Sequence, residues 1–269
     1  MTHEHDKQRE AVASAYTDAL ERSTSKGGCC GGGGPTLPAG YEQELERHAE
    51  AGSSSFGCGN PLAFAGVDAG QTVLDLGSGA GLDLLIAAEK VGPEGRVIGV
   101  DMTDAMIEAA RTNVAKAGLA NVEVRKGIIE DLPVEDASVD WVISNCVINL
   151  APDKAPVFRE IARVLKPGGR ISISDIVVKD LPETLRASME AYVACVGGAI
   201  SEQEYADGLA EAGLEGVEVT DRVVYDKEQL LEILKSDFGC CGTTTAHVSP
   251  ALDEVEGRVW SARFVGRRL

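Results

Sequence analysis

The chain predicts an α/β fold built on a doubly wound, mostly parallel sheet, and three observations carry that prediction. Between Thr72 and Asp175, short apolar runs alternate with amphipathic stretches of helical period. The first run ends in a glycine turn, Gly77-Ser78-Gly79-Ala80-Gly81. An acid, Asp101, closes the second run about 20 residues past that turn, the spacing found in mononucleotide-binding units. The 269 residues suffice for one large α/β domain with an appendage, or for two small domains.

Taken in order, Glu4 to Arg22 reads as an amphipathic helix with Val12, Ala15, Tyr16 and Leu20 on one face. Ser23 to Gly40 is rich in Gly, Ser, Thr and Pro, cannot supply a core, and is expected to be mobile without a ligand. A short helix is expected over about 41–49, and Phe56-Gly57-Cys58-Gly59-Asn60-Pro61 forms an irregular turn ahead of the first strand. Strands are expected at 72–76, 96–100, 122–126, 139–145 and 170–175. Helices fall between them at about 82–91, 104–117 and 153–165, with a shorter link near 128–133. Pro167-Gly168-Gly169 marks a turn before the fifth strand.

Beyond Asp175 the pattern changes. A helix or helix pair covers 181–196, and Ser201 and Glu204 form a capping box for a helix over 201–212. Strand signals at 216–224 and 258–265 read as an antiparallel pair, with a helix near 227–235 between them. The expected sheet therefore has seven strands, the last antiparallel, and a helical insertion after the fifth. Residues 1–40 are expected as a mobile N-terminal helix and Gly/Cys-rich segment, 41–178 as a cofactor-binding domain, and 179–269 as the insertion with the strands that complete the sheet.

Composition narrows the partners. Forty-three acids against 25 bases give a net charge of −18, which argues against nucleic acid or an anionic membrane surface. The excess is spread along the chain, as on a solvated surface. No apolar run is long enough to span a bilayer, and the charged start MTHEHDKQRE lacks a hydrophobic signal region, so a cytoplasmic location is expected. Seven cysteines in such a compartment call for something other than a disulfide framework. Cys29, Cys30, Cys240 and Cys241 lie in adjacent, glycine-flanked pairs, whereas Cys58, Cys146 and Cys195 stand singly in structured or apolar settings.

The glycine turn points to a cofactor. Strand, tight glycine turn and helix let backbone approach a ligand closely and aim unpaired N–H groups at it. The variant here is G-x-G-x-G with Asp75 two residues before Gly77. A carboxylate there repels a pyrophosphate and pairs with an ammonium, so the cofactor indicated is S-adenosylmethionine. Gly77, Ser78, Gly79 and Gly81 supply the turn, and Asp101 is placed to grip ribose hydroxyls, its other reading being a cap for the next helix. Met102 would lie against the adenine, with Ile129 as an apolar face and Glu130 as an acceptor for its amino group. Asn145 and Cys146 follow the fourth strand, at the sheet edge where ligands of such folds bind.

With these motifs assembled, the sequence resembles the arsenite S-adenosylmethionine methyltransferases, a class I methyltransferase family. The resemblance runs from about Tyr41 to Ala212 and rests on GCGNP (57–61), VLDLGSGAGLD (73–83), VDMTDAM (100–106), SNCVINLAPDK (144–154), LKPGG (165–169) and CVGGAI (195–200). The glycine and LKPGG elements are widespread among methyltransferases, while cysteine in the other three settings is far more specific. The resemblance implies that Cys58, Cys146 and Cys195 hold trivalent arsenic for methylation and detoxification. It implies a further N-terminal ligand, here one of Cys29 and Cys30, without saying which. It also implies that enzyme thiols return electrons to arsenic, forming a disulfide that thioredoxin or glutathione reduces. Trivalent arsenic prefers thiolate sulfur in a three-bond pyramid, and its lone pair can attack a sulfonium methyl in line without a general base. His3, His5, His48 and His247 fall in no catalytic motif, as that chemistry permits. The paired cysteines read equally as surface thiols in flexible loops or as a site that captures arsenite and passes it inward; four sulfurs holding zinc is the minority reading, since their spacing is not C-x-x-C. Two other readings are a methyltransferase with a quinone-like acceptor and a thiol-rich arsenite-binding protein without transfer activity.

Overall fold

A computed structural model describes residues 3–24, 66–236 and 254–269. Its elements are α1 (His3–Thr24), β1 (Thr72–Leu76), α2 (Leu82–Val91), β2 (Arg96–Asp101), α3 (Asp104–Lys116), β3 (Val122–Lys126), β4 (Val139–Asn145), a 3-10 turn (Ile148–Leu150), α4 (Lys154–Val164), β5 (Leu165–Val178), α5 (Glu183–Arg186), α6 (Met189–Val193), α7 (Glu202–Glu211), β6 (Leu214–Val224), α8 (Lys227–Ser236) and β7 (Val259–Arg268). The expected helix at 41–49 and the turn around Cys58 lie outside the described residues, as do Cys29, Cys30, Cys240 and Cys241.

The seven strands form one sheet in the order β3-β2-β1-β4-β5-β7-β6. Pairings among β1 to β5 are parallel, and β7 runs antiparallel to both of its neighbours, β5 and β6. The alternation of β1 explains the layering. Val73 faces a core of Leu84, Leu85, Ile107 and Ala110 from α2 and α3, whereas Leu74 and Leu76 face Phe158, Ile161, Tyr205 and Leu209 from α4 and α7. The side-chain oxygens of Asp153 and Ser188 accept from backbone N–H groups at the starts of α4 and α6. The Ser201–Glu204 capping box is present at the start of α7.

Two local expectations are corrected. Pro167-Gly168-Gly169 does not precede β5 but lies inside it: Leu165 already pairs with Val139 and Arg170 with Trp141, so the extra residues bulge out of the ladder, with Gly168 at φ 80°. The link over 128–133 is not helical; it is a tight turn closed by an Ile128–Asp131 bridge. Among the described residues no helix is long and apolar enough to cross a membrane.

Strand order reverses between β1 and β4, the crossover at which open α/β sheets bind ligands beyond their carboxyl ends. A third apolar cluster sits over this edge. It joins Val12 of α1 to Cys146, Leu150, Tyr192 and Cys195.

Candidate active site

The glycine turn leaves β1 at Gly77 and enters α2 at Gly81, with φ of 65° at Gly77, 50° at Gly79 and 92° at Gly81. Such values favour glycine. At Gly77 space is also decisive, because a Cβ there would lie 2.7 Å from Val147 Cβ and overlap its Cγ2. The turn is tied to β2: Gly77 N and Ser78 N donate to Val100 O at 2.8 and 3.1 Å, and Gly79 N donates to Asp101 Oδ2 at 2.9 Å.

A cleft beside this turn measures about 970 Å³ with its open mouth included. All the expected donor-site residues except Gly81 line it. Asp75 is buried, and its carboxyl is held well above the usual carboxylate range by burial first, then by the nearby charges of Asp83 and Asp101. Three carboxylates converging on one end of a cleft repel one another. A cationic group offsets that repulsion, so the donor set fits an ammonium and disfavours a pyrophosphate. Asp101 is raised by burial against the opposing pull of backbone N–H groups, chiefly that of Thr103, which donates to Oδ1 at 2.8 Å. Asp101 thus ties down the start of α3 as well as the glycine turn. Thr103, at the N-cap of α3, makes no side-chain capping bond of its own.

Met102, Met106 and Ile129 provide apolar walls. Glu130, expected as an acceptor for an adenine amino group, has its Oε1 engaged by Arg9 through bonds of 2.9 and 3.2 Å. Arg9, Val12 and Tyr16 of α1 all line the cleft, and the Tyr16 hydroxyl donates to Val193 O at 3.4 Å. The sequence marked the apolar face of α1 but not the surface it covers; the signal for Arg9 was its spacing of three and seven residues from Val12 and Tyr16 on that face.

The two cysteines within the described residues meet at the cleft edge. Cys146 follows β4, lines the cleft, and donates from its N–H to Ser174 O at 2.9 Å. Cys195 reaches it from the insertion, its Sγ donating to Cys146 O at 2.9 Å. Both are buried, at 6% and 4% exposure. Both also hold the left-handed backbone, with φ of 55° and 62°, where the only other non-glycine residues described are Ala137 and Asp180. A side chain in that region costs about 1–2 kcal/mol, strain that persists where surrounding structure imposes it. Cys58 lies outside the described residues, so the third expected sulfur has no described position. Among the described residues no group of three His, Cys, Asp or Glu is arranged to hold a metal ion.

Sequence reasoning missed the polar node beneath Cys195. Asn149 and Asp175 are fully buried, and the Tyr205 hydroxyl donates to Asp175 Oδ2 at 3.3 Å. Burial pushes Asp175 up to about 7 against the backbone N–H of Ile176 and the charge of Lys154. The only sequence signal was a polar residue inside the apolar run Val147-Ile148-Asn149-Leu150.

Comparison with known proteins agrees with this geometry. A family model described as "Methyltransferase domain" matches residues 67–213. The arsenite methyltransferase of Halobacterium salinarum is 48% identical over 203 residues, covering 73% of this chain and 51% of that protein. The human arsenite methyltransferase is 36% identical over 208 residues, covering 72% and 55% respectively. The chain therefore spans about half the length of these curated relatives. The crystal structure of an arsenic(III) S-adenosylmethionine methyltransferase from Chlamydomonas reinhardtii superposes with a TM-score of 0.65 at 31% identity, covering 95% of this chain and 72% of that one. Sheet order, glycine turn and matched model together show that the chain belongs to the methyltransferase-domain family.

Proposed function

We propose that the chain transfers methyl groups from S-adenosylmethionine to trivalent arsenic held by cysteine thiolates, with Cys58, Cys146 and Cys195 as the ligands and detoxification as the outcome. The observation that carries this reading is the meeting of Cys146 and Cys195, 49 residues apart, at the edge of a cleft that the glycine turn and Asp75 also line. The arsenite methyltransferases among its relatives support the acceptor.

Bound S-adenosylmethionine supplies an electrophilic sulfonium methyl. The glycine turn and Asp75 would hold its amino-acid end, Asp101 would take the ribose hydroxyls, and Met102, Ile129 and Glu130 would enclose the adenine. Asn145 and Cys146, at the end of β4, border the side on which the acceptor waits. Three thiolates hold arsenic as a pyramid with its lone pair turned toward the methyl, and alignment and proximity supply most of the rate. The attacking lone pair carries no proton, so no general base is needed. His3 and His5, the histidines among the described residues, sit at the start of α1.

Gaining a methyl takes arsenic from the trivalent to the pentavalent state. Two thiolates return the electron pair: their sulfurs join as a disulfide while arsenic becomes trivalent again. A cellular thiol reductant, thioredoxin or glutathione, restores the thiolates. Cys29 or Cys30 would add a further sulfur from the N-terminal segment.

The test is speciation of arsenic after incubation with arsenite, donor and excess thiol. Methylated arsenic from the wild type is expected, and none from Cys146→Ser or Cys195→Ser, with donor binding kept in both. Full activity in either variant overturns the thiolate assignment, and a wild type that makes no methylated arsenic overturns the reaction.

A further inference from the structure

The segment that carries Cys146 also grips Cys195. Three residues after Cys146, the amide of Asn149 donates from Nδ2 to Cys195 O at 3.1 Å, to Ile176 O at 2.6 Å and to Asp175 Oδ1 at 2.9 Å. Its backbone N–H donates to Asp175 Oδ2 at 3.2 Å. Asp175 completes the anchor, because Ile176 N donates to Oδ1 at 2.9 Å and the Tyr205 hydroxyl to Oδ2. On the other side, the Asn149 carbonyl fills the space that a Cβ on Gly198 would need, so the Cys195–Gly198 turn packs directly on this residue.

We propose that Asn149, anchored by Asp175, is a positioning residue that fixes the Cys195 turn against the Cys146 segment and so sets the spacing of the two sulfurs that receive arsenic. The inference rests on the arsenic reading above. Cys195 adopts its left-handed conformation with its N–H bonded to Tyr192 O at 2.9 Å and its carbonyl bonded to Asn149. Its thiol is then directed at the carbonyl of Cys146. One short segment thus delivers one thiol and clamps the backbone of the other, with little freedom between them. The arrangement also carries a cost: Asn149 Oδ1 is buried and has no hydrogen-bond partner. Leaving a buried acceptor unmet is destabilising. A residue retained only to satisfy Asp175 would not need the bond to Cys195 and would do better without that orphaned oxygen.

The experiment uses the full chain, reduced, in four forms: wild type, Asn149→Ser, Tyr205→Phe, and the exchange Asn149→Asp with Asp175→Asn. The exchange keeps one buried carboxyl against one amide, and at pH 8, where the readouts are taken, an ionised carboxylate at residue 149 has nothing to donate to Cys195 O. Two measurements are made on each, besides thermal stability and donor affinity. Arsenite affinity is read from arsenic–sulfur absorbance, and thiol spacing from bridging of Cys146 to Cys195 by dibromobimane, located by peptide mapping. Asn149→Ser and the exchange are expected to lose about tenfold or more in both readouts with donor affinity unchanged, the loss of one buried hydrogen bond being about 1.4 kcal/mol. Tyr205→Phe is expected to lower stability and leave both readouts alone. An exchange variant that regains wild-type arsenite affinity and bridging overturns the proposal, since the pair is then only structural. So does Asn149→Ser at wild-type values, which also decides the matter if the exchange does not fold. A wild type that binds no arsenite, yet whose bridging depends on Asn149, would instead overturn the arsenic reading and leave the positioning role standing.

Discussion

The two ends of the cleft are built on opposite principles. At the donor end, Asp75 and the three glycines lie within a few consecutive residues, and their backbone groups are tied to the neighbouring strand at Val100 and Asp101. At the thiol end, Cys146 and Cys195 are 49 residues apart and meet only because the insertion after β5 folds back over the sheet edge, where side chains such as Asn149 hold it. The donor end is therefore a local motif that many methyltransferases share. The thiol end is a tertiary assembly, and under the proposed function it is where the acceptor is selected. Perturbations aimed at one end test whether the other is independent of it.

The largest expected effect concerns the thiol end alone. Asp175 is raised by burial from its ordinary 3.8 to about 7, so the folded chain binds its proton more tightly than the unfolded chain does. The stability contributed by that proton is complete below about pH 4 and is lost as pH rises through about 7. The loss is on the order of 4 kcal/mol over that window. Lys154, itself lowered by burial, and the Tyr205 hydroxyl face the carboxyl and temper the loss. In Asp175→Asn this component is absent. Denaturant unfolding from pH 4 to 8 is therefore expected to show the wild type losing ground to the variant as pH rises, and then a constant difference. Parallel curves across the range would show that burial does not hold the proton there.

A second perturbation asks whether the two ends are mechanically separate. Gly77 belongs to the donor turn, but its missing Cβ leaves room for Val147, the residue after Cys146. Gly77→Ala would add left-handed strain to an overlap with that side chain, for about 2–4 kcal/mol of destabilisation. The expected result is loss of donor affinity together with slower bridging of Cys146 to Cys195. A variant that loses donor affinity alone would show that the thiol end does not feel the turn.

This difference also decides what was legible in the sequence. The donor motif and the strands from Thr72 to Asp175 could be read because each is written in contiguous residues: alternation, glycine spacing, and an acid at a strand end. In the sequence β5 looks short because Pro167-Gly168-Gly169 is a local turn signal, whereas the pairing of Leu165 with Val139 is a long-range fact that the signal hides. The same holds for 128–133, where a bridge from Ile128 to Asp131 replaces the expected helix. Cys146 and Cys195 could be singled out as residues, but their common left-handed backbone and the Asn149–Asp175 node could not, since neither leaves a periodic trace. Arg9 was equally hidden: its partner Glu130 lies 121 positions away.

That pair supplies the smallest and most selective test. Side chains of Arg9 and Glu130 are 12% and 9% exposed, so the bond between them is largely shielded from solvent where the cleft is lined by Met102 and Ile129. Truncating Arg9 frees Glu130 from its cation and removes the anchor of α1 there, while nothing in the contact touches Asn149 or the cysteines. Arg9→Ala is expected to weaken donor binding about fivefold, equivalent to about 1 kcal/mol for a partly buried pair, with arsenite affinity unchanged. Calorimetric titration with S-adenosylhomocysteine, which lacks the transferable methyl, reads the donor side without turnover. If donor affinity holds and arsenite affinity falls, α1 serves the thiol end through Val12 and Tyr16 instead, and the division between the two ends runs through the helix, not beside it.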